Sequence, residues 1–306
     1  MRATVRVPAT VANLGPGFDI LALALQLQNE VHAESADGGG ITVAVEGPDS
    51  GVSTEPGLLD PDTNLVALAY TRACDELGLD HGERGVALRC VNAIPMARGL
   101  GSSAAAALSG VLVAVALHRA PWDEARIIEC AATFDGHPDN VAAALLGGLA
   151  ICAPGAAVQR CDVPDELHAL VYMPDAQLST HAARAVVPTT LTRADAIFNA
   201  ARCALLVRAL MTRDYSALRE AMDDAWHQRQ RTGLLPATGT LIAAAYRGGA
   251  DGACLAGAGP SVLALTARDP APVAAALEAA AVAAGVTGRV LLLRARNFGA
   301  RVEVRP

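Results

Sequence analysis

The sequence predicts an α+β fold in two lobes. Stretches with strand and helix patterning follow one another without the strict βαβ alternation that builds a doubly wound sheet. The chain has 306 residues, long enough for two domains or one large one. The second half begins near Asp165, which sets the expected lobes at 1–164 and 165–306. Residues are 52% hydrophobic but only 3% aromatic, so the core has to be built from Ala, Val and Leu.

Thr4-Val5-Arg6-Val7 reads as a short strand stopped by Pro8, which has no N–H for a ladder. Pro8 to Asp19 is expected to be a loop bent by Gly15, Pro16 and Gly17, with Asn13 and Asp19 as its polar groups. Asp19 would equally suit a cap for the apolar segment behind it. Gln26 to Ala36 and Ile41 to Glu46 read as strands joined by the turn Asp37-Gly38-Gly39-Gly40, and Gly47 to Asp62 as a loop. Asn64 to Leu77 has helical spacing, with Leu65, Leu68, Ala69 and Leu77 on one face. Gly85 to Asn92 is a strand. Ser102 to Leu117 is a helix apolar on every side and therefore buried. Pro121 to Thr133 is a further helix. In the second half Leu167 to Met173 is a strand, and Ala194 to Met211 and Tyr215 to Trp226 are helices. Gly252 to Leu255 and Val262 to Thr266 are strands, Ala271 to Ala284 a helix, and Val290 to Arg294 and Arg301 to Val304 closing strands.

The chemistry concentrates in Ile94-Pro95-Met96-Ala97-Arg98-Gly99-Leu100-Gly101-Ser102-Ser103-Ala104-Ala105, between a strand and the buried helix. Gly99 and Gly101 permit a sharp turn and close approach to a ligand. A glycine loop at a helix N-terminus offers free N–H groups and the positive end of the dipole, which suits phosphate. Ser102 and Ser103 add hydroxyls for capping or for a metal ion. The same residues also suit a serine-capped core helix behind a glycine turn. GxxxxGK[ST] is excluded because it needs a lysine, and all 24 cationic residues here are Arg. GLGSSA also lacks the last glycine of GxGxxG. The absence of lysine further excludes Schiff-base chemistry and leaves phosphate charge to backbone, Arg or metal.

Phe134-Asp135-Gly136-His137-Pro138-Asp139-Asn140-Val141 packs four polar groups between apolar segments. Asp135 suits Mg²⁺, and His137, Asp139 and Asn140 suit orienting a substrate. They would also suit a Pro-started helix with an Asp cap. Leu178 to Arg184 carries Thr180 and Arg184, the latter by itself a solvated surface residue. The charge run Asp223 to Arg231 fits a solvated helix face as well as a site. Ala256-Gly257-Ala258-Gly259-Pro260-Ser261 is a second glycine loop.

A net charge of −7 without a basic block argues against nucleic acid and against an anionic membrane surface. The sequence offers neither an uninterrupted apolar run of about 18 residues nor a signal-peptide h-region, so a cytoplasmic location is expected. Cysteines 74, 90, 130, 152, 161, 203 and 254 form no CxxC and read as reduced core residues.

Three glycine motifs in this order, Pro8 to Asp19, Pro95 to Ala105 and Leu255 to Ser261, resemble the three signatures of the GHMP small-molecule kinases. Phe134 to Val141, Ser179-Thr180 with Arg184, Ala196-Ile197-Phe198-Asn199, and His227 with Arg231 resemble the homoserine kinases within them. The resemblance covers nearly the whole chain, and the combination is specific where no single motif would be.

The resemblance implies an N-terminal lobe like domain 2 of ribosomal protein S5 and a ferredoxin-like C-terminal lobe. The implied reaction is ATP plus L-homoserine giving ADP and O-phospho-L-homoserine, toward threonine. The loop Pro95 to Ala105 would cradle the ATP phosphates with Asn64 near the nucleoside, and Ser103 and Asp135 would hold Mg²⁺. Asn13, Asp19, His137, Asp139, Thr180, Arg184, Arg231 and Gly257 would bind the amino acid. Asp19 would face its ammonium, and the two arginines its carboxylate, which Arg grips bidentately. Asn140, Arg184, Ser103 and Asp135 form the implied catalytic set. Mevalonate and galactose kinases have an aspartate base where this chain has Asn140, which cannot take a proton. Catalysis would then rest on in-line positioning and charge stabilisation. Asp135 departs from the family's usual Glu, and the missing methylene would lengthen or hydrate the metal contact. A kinase of another amino alcohol such as threonine, and a non-catalytic nucleotide-binding regulator, are the alternatives. A homodimer is expected by analogy alone.

Overall fold

The computed structural model describes residues 1–47 and 56–306. Strand β1 (Arg2–Asn13) pairs antiparallel with β2 (Gly17–Ser35). Pro8 does not end β1. It sits where the register shifts between Pro8 and Ala9, and a bulge tolerates its missing N–H. The expected Pro8–Asp19 loop shrinks to a turn of Leu14, Gly15 and Pro16, and Asp19 lies within β2 rather than capping the segment behind it. Asn13, Leu14 and Asp19 have φ of 73°, 48° and 58°. Left-handed non-glycine residues are strained, and such strain collects at functional sites.

β3 (Ile41–Glu46) has the expected bounds, but the Asp37–Gly40 turn builds no hairpin. β3 runs parallel to β4 (Val86–Val91), which lies between it and β2. Of the expected Gly47–Asp62 loop, residues 48–55 lie outside the described ones and Pro56–Leu59 forms a short helix, α1. Asn64 caps α2 (Leu65–Glu76). α2 buries Val66, Ala67, Ala69, Tyr70, Ala73 and Cys74; of the expected face Ala69 is buried, Leu65 and Leu77 are half-buried, and Leu68 is 37% exposed. Small residues win because α2 packs closely on α3 (Ser102–Leu117), where a Cβ on Gly110 would lie 2.2 Å from the Val66 carbonyl oxygen. α4 (Glu124–Ala132), α5 (Asp139–Leu146) and two short strands, β5 (Leu149–Ile151) and β6 (Gln159–Cys161), complete the first half.

The second half runs β7 (His168–Pro174), α6 (Thr180–Ala185) and α7 (Arg193–Thr212). The helix expected over Tyr215–Trp226 is broken into a 3₁₀ turn, α8 (Leu218–Ala221) and, beyond the break, α9 (Gln228–Arg231). The Asp224 carboxylate causes the break by accepting from the backbone N–H groups of Trp226, His227 and Gln228, bonds that compete with helix continuation. α10 (Thr238–Arg247) had no clear sequence signal. β8 (Gly252–Leu255), β9 (Val262–Thr266), α11 (Ala271–Ala283), β10 (Gly288–Arg294) and β11 (Arg301–Arg305) follow.

The two closing strands belong to different sheets. β10 edges a four-stranded antiparallel sheet ordered β10-β7-β9-β8, whereas β11 returns to the first sheet, ordered β11-β1-β2-β4-β3 with β5 on β2 and β6 on β5. Alternate residues of β7 serve two packings, as the strand period requires. Leu170 and Tyr172 pack with Leu241 and Leu277 under α10 and α11. Val171 and Met173 join Leu206, Leu210 and the core of the first sheet, so that core continues across both lobes. All seven cysteines are free, and burial pushes Cys90 and Cys152 up to about 12, which keeps them inert. No helix among the described residues is long and apolar enough to cross a membrane.

Candidate active site

A cavity of about 250 Å³ lies where the lobes meet. Its walls are the facing ends of β1 and β2, the loop before α3, the α4–α5 loop with Asn140, the start of α6, Arg231 of α9, and the glycine loop after β8.

The loop before α3 is clasped from both sides. A Cβ on Gly99 would lie 2.1 Å from the Ala256 carbonyl oxygen, and one on Gly101 would lie 2.0 Å from Thr10 Oγ1. Gly101 takes φ 68° as the N-cap of α3 and offers no side chain to the helix. The serine-capped reading is therefore set aside: no side chain caps α3, and its N-terminus faces the cavity through Ser102 and Ser103. Uncapped N–H groups with the helix dipole behind them suit a phosphate.

Ser103 Oγ donates to both carboxylate oxygens of Asp135, at 2.8 and 3.0 Å. The shorter Asp135 therefore still reaches Ser103. An all-oxygen pair beside a glycine loop that suits phosphate fits Mg²⁺. A second group, Asp19, His137 and Asp139, brings ligand-type atoms within 4.8 Å of one another. Its members already have partners, His137 with Asp139 inside the group and Asp19 with Arg184 outside it.

Thr10 Oγ1 donates to Asn140 Oδ1 at 2.7 Å. That bond fixes the amide plane and, among the described residues, leaves its NH₂ donors unused beside the second lone pair of Oδ1. His137 Nδ1 lies 2.6 Å from Asp139 Oδ1, which also accepts from the Asn140 N–H at 2.7 Å. Asp139 is fully buried and does not line the cavity, so the expected direct contact with substrate is corrected to support of His137 from behind. Burial opposes a charge on His137, but the Asp139 hydrogen bond and charge outweigh it and raise its pKa. Asp139→Asn should lower the His137 pKa, read from the NMR titration of its ring protons. The stability His137 contributes is full below the unfolded value of about 6.5 and lost as pH rises through the higher folded value, so the variant should also flatten that loss. An unmoved titration would show that Asp139 does not control His137.

At the other end, the Arg184 fork grips Asp19 with Nη1 to Oδ2 at 2.9 Å and Nη2 to Oδ1 at 2.7 Å. Arg184 is thus not a free surface residue, and Asp19 does not stand alone awaiting an ammonium. The hydrogen bond to Asp19 raises the Arg184 pKa. Arg231 is 2% exposed. It donates Nε to the Ala183 carbonyl, and Nη1 to the Gly257 carbonyl and to His227 Nδ1, each at 3.0 Å. Arginine only donates, so His227 Nδ1 accepts and Nε2–H donates to the Gly15 carbonyl at 2.7 Å. Burial holds His227 neutral by pushing it down to about 4, and burial followed by repulsion from Arg184 pushes Arg231 down to about 10. The solvated-face reading of Asp223–Arg231 holds for Asp223 and Arg229 but fails for Asp224, His227 and Arg231, all buried. Phe18 lies under both guanidinium groups, 5.1 Å from Arg184 and 5.4 Å from Arg231.

Asn13 donates to the Gly257 carbonyl at 2.9 Å and accepts from the Asp19 N–H at 3.2 Å, fastening one lobe to the other. Thr180 and Gly257 line the cavity. Several expected ATP contacts do not. Asn64 is the buried cap of α2, Ala104 and Ala105 are core residues, Pro95 lies outside the wall, and Met96 is 41% exposed outside it. Thr10 and Phe18 were missed. A lone hydroxyl in the apolar run from Val7 to Val11 is the signal that points to Thr10.

Comparisons with known proteins identify the family. The family model described as GHMP kinases N terminal domain matches residues 64–148, and GHMP kinases C terminal matches residues 206–285. A homoserine kinase from Microchaete diplosiphon is 40% identical over 302 residues, covering 97% of this chain and 96% of that protein. One from Aquifex aeolicus is 35% identical, covering 97% and 98%. The crystal structure of homoserine kinase from Cytophaga hutchinsonii superposes with a TM-score of 0.86 at 27% identity, covering 99% of this chain and 97% of that one. The chain belongs to the homoserine kinase family of the GHMP kinases.

Proposed function

We propose that this chain transfers the terminal phosphoryl group of ATP to the side-chain hydroxyl of L-homoserine, giving ADP and O-phospho-L-homoserine, a step toward threonine. One observation carries the reading: a single cavity joins an uncapped, glycine-flanked helix N-terminus to a pair of arginines over Phe18. The first end suits polyphosphate. The second suits an α-carboxylate, and Asp19 beside it suits an α-ammonium. Binding an amino acid therefore redistributes the Asp19–Arg184 pair between the two substrate charges.

Asn140 donates its amide N–H to the hydroxyl oxygen and aims it, held in that pose by Thr10. It removes no proton. Loose phosphoryl transfer demands little activation of the nucleophile, so positioning and charge stabilisation suffice. Ser103 and Asp135 would hold Mg²⁺, which when bound neutralises phosphate charge. Residues 1–164 and 165–306 form the two lobes, with β11 lent back to the first, and the reduced, buried thiols support a cytoplasmic location.

Coupled ADP release with L-homoserine, L-threonine, L-serine, mevalonate and no acceptor tests the reading. Homoserine should give the highest kcat/KM. Faster turnover of threonine or mevalonate would replace the substrate assignment, and no acceptor-dependent ADP release would leave a nucleotide-binding regulator.

A further inference from the structure

We infer that Arg98 is a catalytic residue, whose guanidinium contacts the transferring phosphoryl group and stabilises the charge it develops. The inference rests on the phosphotransfer reading and names the cation that this lysine-free chain uses for the task. Three arginines line the cavity: Arg98, Arg184 and Arg231. Arg184 is committed to Asp19 through both terminal nitrogens. Arg231 gives Nε and Nη1 to two carbonyls and a histidine. Arg98 is held by one arm, Nη2 donating to the Asp175 carbonyl at 2.5 Å, while Nη1 is shut off from solvent without a hydrogen-bond partner. No acidic side chain pairs with it among the described residues. A charged donor without an acceptor calls for an explanation, and a small shift of this half-buried side chain in the cavity wall brings Nη1 onto a ligand oxygen.

Placement supports the same role. Arg98 immediately precedes Gly99 in the loop that ends at the open N-terminus of α3, and shares the cavity wall with Ser103, Asp135 and Asn140. Its aim is set from the second lobe. Asp175 follows β7 there, and the Leu178 N–H donates to the Ala97 carbonyl at 3.3 Å. In the transfer the homoserine hydroxyl oxygen bonds to the γ-phosphorus. The bond from that phosphorus to the β,γ-bridging oxygen breaks, and its electron pair leaves with ADP. The hydroxyl proton passes to an oxygen of the transferred phosphoryl group. Charge shifts onto the phosphoryl and bridging oxygens, where a preorganised cation stabilises the transition state more than the ground state.

The test compares wild type, Arg98→Gln and Arg98→Lys in steady-state kinetics, and in calorimetric binding of ADP and of the non-hydrolysable analogue AMP-PNP. Arg98→Gln should lower kcat by about 10²–10³, the scale of losing one preorganised electrostatic group, while the homoserine KM stays within about threefold. Its AMP-PNP affinity should fall at least about tenfold more than its ADP affinity. Arg98→Lys, which keeps the charge, should recover part of both losses. An unchanged kcat, or equal weakening of the two nucleotides, would overturn the inference and leave Arg98 as a tether between lobes. A wild-type enzyme inactive on homoserine would instead defeat the substrate assignment, and the nucleotide comparison would still decide the role of Arg98.

Discussion

Asp135→Asn is expected to lower kcat by about 10²–10³, the scale of removing one preorganised electrostatic group, and to raise the Mg²⁺ concentration needed for half-maximal rate. Asn keeps the size of the side chain and removes its charge. Were Asp135 only a helix cap, Asn would be among the best replacements and activity would survive. The geometry already speaks against capping. The residue at the N-cap of α5 is Pro138, without a side-chain cap, and both Asp135 oxygens accept from Ser103 instead. Asp135→Glu is the second arm and restores the carboxylate that family members usually carry, so activity should be kept or improved. Kinetics over a Mg²⁺ series reads both variants. An active Asp135→Asn enzyme with normal Mg²⁺ dependence would remove Asp135 from the metal site and leave Ser103 there alone.

Arg184→Ala is expected to raise the homoserine KM by at least about tenfold, with ATP binding little changed. Losing a hydrogen bond to a charged group costs about 1.5–3 kcal/mol, and each ~1.4 kcal/mol is tenfold. The lower end applies, because the Arg184 side chain is 42% exposed and water screens its charge. Removing it also frees Asp19 from its partner, so an increase in KM without a matching fall in kcat is the signature of lost substrate binding. Initial rates across homoserine concentrations at saturating ATP measure it. An unchanged KM would mean that the Asp19–Arg184 pair only ties the lobes together.

What the sequence revealed, it revealed through local signals. Ser102–Leu117 was legible because a glycine loop and an apolar run delimit it, and β3 because its alternation is short and clean. Failures came where distant chain decided the outcome. Pro8 continues β1 because β2 supplies a bulge opposite it, and α2 turns its small residues inward because Gly110 admits α3 so closely. The helix expected at Tyr215–Trp226 breaks because Asp224 bonds to the backbone ahead of it and to Asn199, 25 residues away in sequence, at 2.7 Å. Site residues were legible as types: a carboxylate, a histidine, two arginines. Their partners were not, since the Asp19–Arg184 pair and the Asn13–Gly257 bond join residues 165 and 244 positions apart.

The return of β11 to the first sheet bears on how this protein is made. Residues 2–6 find their outer partners at 301–305. A ribosome releases the first lobe long before those residues exist, so β1 waits as an open edge through synthesis of the entire second lobe. Such edges invite pairing with other chains, and long-range strand pairing forms slowly. Arg2 and Arg6 stand on that waiting edge beside Glu34 and Glu30 of β2, and charges of this kind discourage a stray strand from joining. The cavity itself is finished late for the same reason: Arg231 and Gly257 arrive from the second lobe, so the nascent first lobe carries the glycine loop before α3 but only part of the cavity wall.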